Sequence, residues 1–213
     1  MQSIGYPLPK QQTRQAIEIR KSRFITTLAP VTDATQVQAF LNQIKHEFPD
    51  ASHHCWAFLL GRPKSSAHVG MSDDGEPKGT AGRPMLTVLL HADVGDVMVI
   101  VTRYFGGTKL GTGGLQRAYS DCVKQILADL ETTQRVNYCS MTLQLDYADF
   151  DPLQRQLSQL QALIGTADYT ERIRLNVQLP DQHLTDFKHY LGNHPQIDYQ
   201  VEAENPASAA ILD

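Results

Sequence analysis

The sequence predicts an α+β protein of two domains, and three observations lead to this prediction. The chain of 213 residues is 41% hydrophobic and 20% charged, a composition typical of a globular protein that buries a core. Hydrophobic patterns of strand and helix period alternate along it. Residues 1–135 hold 15 Lys and Arg against 12 Asp and Glu, whereas residues 136–213 hold 4 against 11. This change of charge indicates a boundary, so we predict domains over 1–135 and 136–202 and a flexible tail over 203–213.

The first domain opens with one or two strands over residues 15–30, followed by a helix. Thr32 or Asp33 can cap this helix, which runs to about His46. The later predicted elements are a strand over 54–60, a short strand near 66–69, a helix from about Thr80, a buried strand over 97–104 and a long helix from Leu115 to about Glu131.

The second domain shows a restarted pattern of strands and helices. The predicted elements are a strand over 137–146, a helix over 149–161, strands over 164–170 and 172–179, a helix over 181–191 and a strand over 196–201. The order βαββαβ in so short a stretch is that of the ferredoxin-like arrangement.

The three cysteines and the N-terminal residues indicate a reducing compartment. Cys55, Cys122 and Cys139 lack CxxC spacing, and the sequence begins without the apolar segment of a signal peptide. No apolar run approaches the ~20 residues that span a bilayer. We therefore expect buried, reduced thiols and a cytoplasmic protein without a membrane segment. The histidines and cysteines also lack zinc-ligand spacing.

An acidic loop, "SDDGEPKGTAGRP" over residues 72–84, is the first candidate site. Its carboxylates Asp73, Asp74 and Glu76 are the kind of ligands that Mg²⁺ takes. The same acids could instead stabilise the helix start near Thr80, or pair with nearby cations. The candidate cations are Arg83, Arg103 and Lys109.

A glycine-rich loop, "GGTKLGTGG" over residues 106–114, is the second candidate site. It matches neither the P-loop nor the dinucleotide-binding pattern. It ends a buried strand, opens a long helix, and carries the cations Arg103, Lys109 and Arg117. Backbone amides at a helix start beside cations can hold an anion. A tight turn with solvated cations is the equal alternative.

The two loops together, with "HHCWAF" upstream, make the sequence recognisable. The stretches "SDDGEPKGTAGRPML" and "VTRYFGGTKLGTGGLQRAY" closely resemble the IMPACT family, in its bacterial YigZ branch, over about residues 15–130. The resemblance implies a first domain like the second domain of ribosomal protein S5, with helices on one face of a sheet. It implies a second domain like the ferredoxin-like last domain of elongation factor G.

The resemblance also implies a set of site residues. The positions shared with the family are His54, Asp73, Asp74, Gly75, Glu76, Arg103, Gly106, Gly107 and Gly111. The bacterial version of the loop adds Lys109, Gly113 and Gly114, and we include Arg117 as the next cation.

Eukaryotic members of the family regulate translation by competing for the ribosome-bound activator of the amino-acid-starvation kinase. We therefore predict a translation-related regulator, with no cofactor, whose first domain binds RNA, the ribosome or a ribosome-associated protein. We expect a monomer. No nucleophile motif is present, so a binding module is favoured over an enzyme. The alternative is a Mg²⁺-dependent protein or enzyme that binds a nucleotide or phosphometabolite through the glycine-rich loop and the carboxylates.

Overall fold

The chain folds as an α+β protein of two compact units, which confirms the predicted fold class. The computed structural model describes residues 5–65, 67–202 and 209–212. The N-terminal unit is Tyr6–Thr133, and the C-terminal unit comprises Gly5 and the chain from Gln134 onwards. Separate clusters of buried side chains form the interior of each unit.

The N-terminal unit is built on one antiparallel sheet. Its elements are β1 (Tyr6–Pro9), β2 (Thr13–Ile19), β3 (Ser22–Pro30), α1 (Ala34–Glu47), β4 (His53–Leu59), β5 (Val69–Ser72), α2 (Gly82–His91), β6 (Val97–Tyr104) and α3 (Thr112–Ala128). The sheet has the order β2-β3-β6-β4-β5. The central position of β6 places its C-terminal end, where the glycine-rich loop begins, beside β3 and β4.

Helices cover both faces of this sheet, which corrects the expectation of helices on one face. Val97, Val99 and Val101 of β6 pack with α2 and α3, whereas Met98 and Ile100 pack with α1. Every one of these side chains is buried. A continuous apolar run such as VMVIV is typical of a strand buried on both sides.

The stretch predicted as one or two strands is a hairpin of β2 and β3. Arg20 and Lys21 form its two-residue turn, with φ of 47° and 67°, and Ile19 lies opposite Ser22. Positive φ at both central residues is the geometry that matches the twist of the strands in such a turn. The hairpin therefore ends in two exposed cations.

The C-terminal unit has the ferredoxin-like strand order. Its elements are β7 (Thr132–Leu145), α4 (Tyr147–Gln159), β8 (Leu163–Tyr169), β9 (Ile173–Pro180), a 3₁₀ turn (Asp181–His183), α5 (Leu184–Gly192), β10 (Asp198–Val201) and β11 (Ala209–Leu212). The strands β10, β7, β9 and β8 are neighbours in that order, and all pairs are antiparallel. Alternate residues of β7 and β9 point into a core with α4 and α5.

The predicted flexible tail needs a correction. Ala209–Leu212 form β11, which pairs antiparallel with Gln134–Asn137 of β7. The length of β7 is the reason, because β10 pairs only with Met141–Gln144 and leaves the earlier part of that strand for another partner. The rest of the predicted tail, 203–208 and 213, lies outside the described residues.

Candidate functional site

The first carboxylate of the acidic loop caps α2. Asp73 accepts hydrogen bonds from the backbone N–H groups of Gly79, Ala81 and Gly82, at 2.7, 3.0 and 2.9 Å. Burial opposes ionisation of Asp73, but these three hydrogen bonds outweigh it and hold the pKa of the carboxyl below its ordinary value. Both oxygens of Asp73 are thus occupied by the start of α2.

The second carboxylate ties the loop to β4 and α1. Asp74 Oδ2 accepts a hydrogen bond from the backbone N–H of His54 at 2.6 Å. Its Oδ1 lies 3.3 Å from Lys45 Nζ. Asp74 itself has a φ of 40°, a conformation that Asp tolerates better than most residues. Its carboxylate has its partners on α1 and β4, whereas that of Asp73 is directed at α2.

The third carboxylate, Glu76, is buried in a polar cluster. Glu76 Oε1 accepts hydrogen bonds from Arg103 at 2.5 Å and from the Tyr119 hydroxyl at 2.7 Å. Its Oε2 lies 4.0 Å from His53 Nε2. The Tyr119 hydroxyl also lies 3.3 Å from Cys55 Sγ. Burial raises the pKa of the Cys55 thiol to about 12, so the thiol stays protonated at neutral pH.

The three carboxylates therefore do not converge on one point. Asp73, Asp74 and Glu76 each have different protein partners, and across residues 5–65, 67–202 and 209–212 no group of three or more His, Cys, Asp or Glu is placed to hold a metal ion. The three carboxylates thus do not form one shared metal site. Of the anticipated internal roles, Asp73 caps a helix and Glu76 pairs with Arg103.

The side chain of His54, a predicted site residue, is buried away from the loops, although its backbone N–H binds Asp74. Its Nε2 lies 3.1 Å from Phe48 O, and its Nδ1 lies 3.1 Å from Thr102 Oγ1. Because a carbonyl only accepts, Nε2 carries the proton. Burial lowers the pKa of His54 below its ordinary value, so the ring is neutral. Its two hydrogen bonds lie in the protein interior.

His53 takes the place in the site that was predicted for His54. Its Nδ1 donates to Asp74 O at 2.9 Å, and its side chain lines a cleft between the two loops. Neighbouring residues on a strand point to opposite faces, so only one of the two histidines can reach the loops. The sequence signal was this alternation, but it does not say which face carries the site.

The two loops meet at a cleft of about 400 Å³ within the N-terminal unit. Predicted site residues that line it are Gly75, Glu76, Arg103, Lys109 and Gly111. Lining residues that the sequence analysis missed are His53, Pro77, Phe105, Leu110, Thr112 and Leu115. The other predicted site residues, Asp73, Asp74, His54, Gly106, Gly107, Gly113, Gly114 and Arg117, are not part of its lining.

Three glycines of the glycine-rich loop are required by the fold. A Cβ on Gly106 would lie 1.9 Å from the backbone oxygen of Lys21 at the hairpin turn. Gly107 and Gly111 have φ of +82° and +74°, which side chains rarely adopt. The close approach at Gly106 also brings the basic hairpin turn next to the loop.

Gly113 differs, because neither packing nor conformation requires it. It lies in the first turn of α3, has no left-handed φ, and a Cβ there would meet no atom within 4 Å. The neighbouring Gly114 is tighter, because a Cβ there would lie 3.2 Å from Leu110 Cβ. Gly113 is therefore explained neither by packing nor by backbone conformation.

The start of α3 is open, in contrast to the start of α2. Gly111, its N-cap residue, has no side chain that could cap the helix, and the first turn has no acidic residue. Uncapped amides and the helix dipole favour an anion there. Arg103 and Lys109 line the adjoining cleft. Because Arg103 and Glu76 neutralise each other, the positive charge there comes mainly from Lys109. The arrangement can hold a phosphate group.

Comparison with known proteins identifies the family. The family model described as "Impact N-terminal domain" matches residues 20–127, and a "Domain of unknown function (DUF1949)" matches residues 143–193. The chain is 40% identical over 186 residues to "IMPACT family member YigZ" of Escherichia coli, which covers 87% of this chain and 91% of that protein. The chain belongs to the IMPACT family. The resemblance to its YigZ branch is confirmed.

Further similar proteins extend the comparison. "IMPACT family member YvyE" of Bacillus subtilis is 34% identical over 88% of this chain and 85% of its own. "Protein IMPACT" of Xenopus laevis is 32% identical over 59% of this chain and 38% of its own. A solved structure titled "Crystal structure of an hypothetical protein" is 36% identical, with a TM-score of 0.67 over 95% of this chain and all of that one.

The described helices also bear on membrane insertion. None of those in the parts of the chain that the structure describes combines the length and the apolar character needed to cross a bilayer.

Proposed function

We propose that this IMPACT-family protein is a translation-related regulator that binds ribosomal RNA through phosphate groups at the start of α3. The observation that carries the proposal is Gly113, in the first turn of a helix whose N-cap residue, Gly111, has no capping side chain. The family resemblance supplies the expectation of a role at the ribosome in the cytoplasm.

The energetic argument concerns the choice of glycine at this position. Glycine inside a helix costs about 1 kcal/mol relative to alanine. Gly106 lies in the loop before the helix, and there the fold itself requires glycine, since a Cβ would collide with backbone. At Gly113 the surroundings are open, so an alanine would be accommodated and would stabilise the helix. A ligand that must approach the backbone amides closely explains the glycine.

The cations around this point favour phosphate as that ligand. Lys109 is exposed beside the start of α3. The exposed Arg20 and Lys21 stand at the hairpin turn that contacts Gly106. RNA affinity comes largely from such contacts with the phosphate backbone.

The Mg²⁺-dependent alternative has no specific observation in its favour. The three carboxylates that it requires are engaged with a helix start, with Lys45 and with Arg103. We therefore propose one function, that of a binding module.

The test is co-sedimentation of the full chain with purified ribosomes across a salt series. We expect binding that falls as salt rises, and a Lys109→Ala variant that binds more weakly with a salt slope reduced by about one. Gly113→Ala should weaken binding while it raises the thermal midpoint. Lys124→Ala removes an equal charge from the exposed pair with Asp121 on the same helix and should change little.

Absence of sedimentation at the lowest salt would refute the proposal. Equal loss in Lys109→Ala and Lys124→Ala would also refute it, because the effect would then be one of net charge alone. If ribosomes stripped of associated proteins by a high-salt wash no longer bind the chain, a ribosome-associated protein is the partner and the RNA proposal is wrong.

A further inference from the structure

We infer that the cleft between the two loops binds one unpaired nucleotide of RNA, with the base stacked on Phe105 and the phosphate at the start of α3. The inference rests on the proposed function, because it assumes that the bound phosphate belongs to RNA. The inference goes beyond the proposed function, because it specifies single-stranded RNA and the residue that would contact the base.

Phe105 is an exposed aromatic side chain at the wall of this cleft. Its exposed fraction is 50%, and among the large hydrophobic side chains described in the N-terminal unit only Met71 is exposed to a similar degree. Phe105 directly follows β6, and its backbone N–H donates to Ser52 Oγ at 3.1 Å. The backbone of Phe105 is therefore held at the end of the central strand β6, while much of the ring surface faces solvent.

The ring of Phe105 is supported from behind by Arg103. The guanidinium carbon of Arg103 lies 5.6 Å from the centre of the Phe105 ring and 5.3 Å from that of the buried Phe24. Arg103 is itself fixed by Glu76 and Ser22. Cation and rings form a rigid stack, so little conformational entropy would be lost when a base adds to it.

Arg103 also retains unused hydrogen-bonding capacity. Its Nε is buried and has no hydrogen-bond partner among the described residues, and its side chain is 5% exposed. A buried guanidinium normally has all its donors satisfied. Arg103 lines the cleft, but its Nε has less than 1 Å² of exposed surface, so an acceptor from outside the chain would reach this donor only after a local rearrangement.

The rest of the cleft suits a nucleotide better than a bare phosphate. Leu110, Leu115 and Pro77 form an apolar part of the wall, and Lys109 and Thr112 stand where α3 begins. The volume of about 400 Å³ lies in the range of about 300–1,000 Å³ that is common for sites of small organic ligands. An inorganic phosphate would leave the apolar wall and Phe105 without contacts.

The pairing state of the RNA follows from the stacking. Bases within a duplex are stacked on one another, and their faces are inaccessible to a protein ring, whereas loops and single strands can present them. Aromatic stacking of this kind tolerates any base and contributes about 1–3 kcal/mol per base. The cleft should therefore select unpaired RNA without strong sequence preference.

The experiment measures binding of the full chain to a single-stranded oligoadenylate of about ten nucleotides, in which one adenine is replaced by fluorescent 2-aminopurine. An RNA duplex of the same length is the comparison. We expect quenching of the fluorescence on binding, and affinity for the single strand about tenfold above that for the duplex. Phe105→Leu should reduce affinity for the single strand about tenfold and abolish the quenching. Phe105→Tyr, which keeps a ring, should retain both.

The control is Tyr147→Leu, which removes an exposed ring (55%) from the C-terminal unit and should leave binding unchanged. Wild-type affinity in Phe105→Leu, with unchanged thermal stability, would overturn the inference. Equal affinity for duplex and single strand would overturn it as well. Displacement of the oligonucleotide by comparable concentrations of adenosine monophosphate would show that a free nucleotide is the ligand and would overturn the assignment to RNA.

These outcomes separate the two proposals. If ribosomes sediment with the chain in a salt-dependent manner but Phe105→Leu behaves as wild type, the inference about the base fails and the proposed function stands. If neither ribosomes nor oligonucleotides bind at low salt, both fail.

Discussion

At the scale of single residues, Glu76 connects three parts of the N-terminal unit. It belongs to the acidic loop, pairs with Arg103 at the end of β6, and accepts a hydrogen bond from Tyr119 of α3. The side chains of the pair are 3% and 5% exposed. Breaking a buried pair leaves an uncompensated charge, which costs far more than losing a surface pair. Glu76 therefore holds the Arg103 guanidinium in place beside Phe105.

We expect Glu76→Gln to destabilise the protein by about 3–5 kcal/mol, because Arg103 would remain buried without its counter-charge. The measurement is urea-induced unfolding followed by circular dichroism. Asp121→Asn breaks the exposed pair with Lys124 and should change stability by less than about 1 kcal/mol. If the two variants proved equally stable, the pair would have no structural role.

At the scale of elements, each of the two loops precedes a helix, and the N-termini of these two helices are capped differently. The acidic loop supplies Asp73, whose carboxylate binds the first amides of α2. The glycine-rich loop supplies no such group to α3. Instead, the backbone of the loop at Gly106 lies close to the backbone of the hairpin turn. One helix start is capped by a carboxylate of the chain itself, and the other begins at a glycine that has no side chain to cap it.

The glycines of this loop should respond differently to alanine. Gly106→Ala should destabilise by about 2–3 kcal/mol, since the Cβ would overlap the backbone oxygen of Lys21 and one strand end must shift. Gly113→Ala should instead stabilise by about 0.5–1 kcal/mol, because it adds a good helix former in open space. Thermal unfolding of both variants checks this. Destabilisation by Gly113→Ala would contradict the claim that glycine at this position serves ligand binding and not the fold.

At the scale of the whole molecule, the two units carry opposite charge tendencies. Residues 136–213 hold 4 Lys and Arg against 11 Asp and Glu. Among those cations, Arg172 is paired with Asp146 and Asp198. An acidic surface repels a phosphate backbone, so the C-terminal unit is unsuited to phosphate binding by charge.

We expect Arg174→Ala, on the sheet of the C-terminal unit opposite Gln144 and Asp168, to leave ribosome sedimentation and its salt slope unchanged. Lys109→Ala, which removes the same charge, should reduce both. The comparison uses the same salt series for both variants. A loss in Arg174→Ala equal to that in Lys109→Ala would show an effect of net charge alone and would contradict phosphate binding at the glycine-rich loop.

The sequence by itself determined the fold class, the order of most elements, the family and the two loops. Local patterns suffice for these, because the periods of strands and helices and the composition of loops are written in neighbouring residues. The run over 97–101 even held the signal for a strand buried on both faces. The sequence did not reveal β1, and it left β11 in a predicted tail.

Only the tertiary structure decided the chemistry of the site. It assigned each carboxylate a separate partner, placed His53 rather than His54 at the cleft, and distinguished Gly106 from Gly113. These facts depend on residues far apart in the chain, such as Arg103 against Glu76 or Lys21 against Gly106. Such contacts follow from the order and register of the strands, which no local pattern encodes.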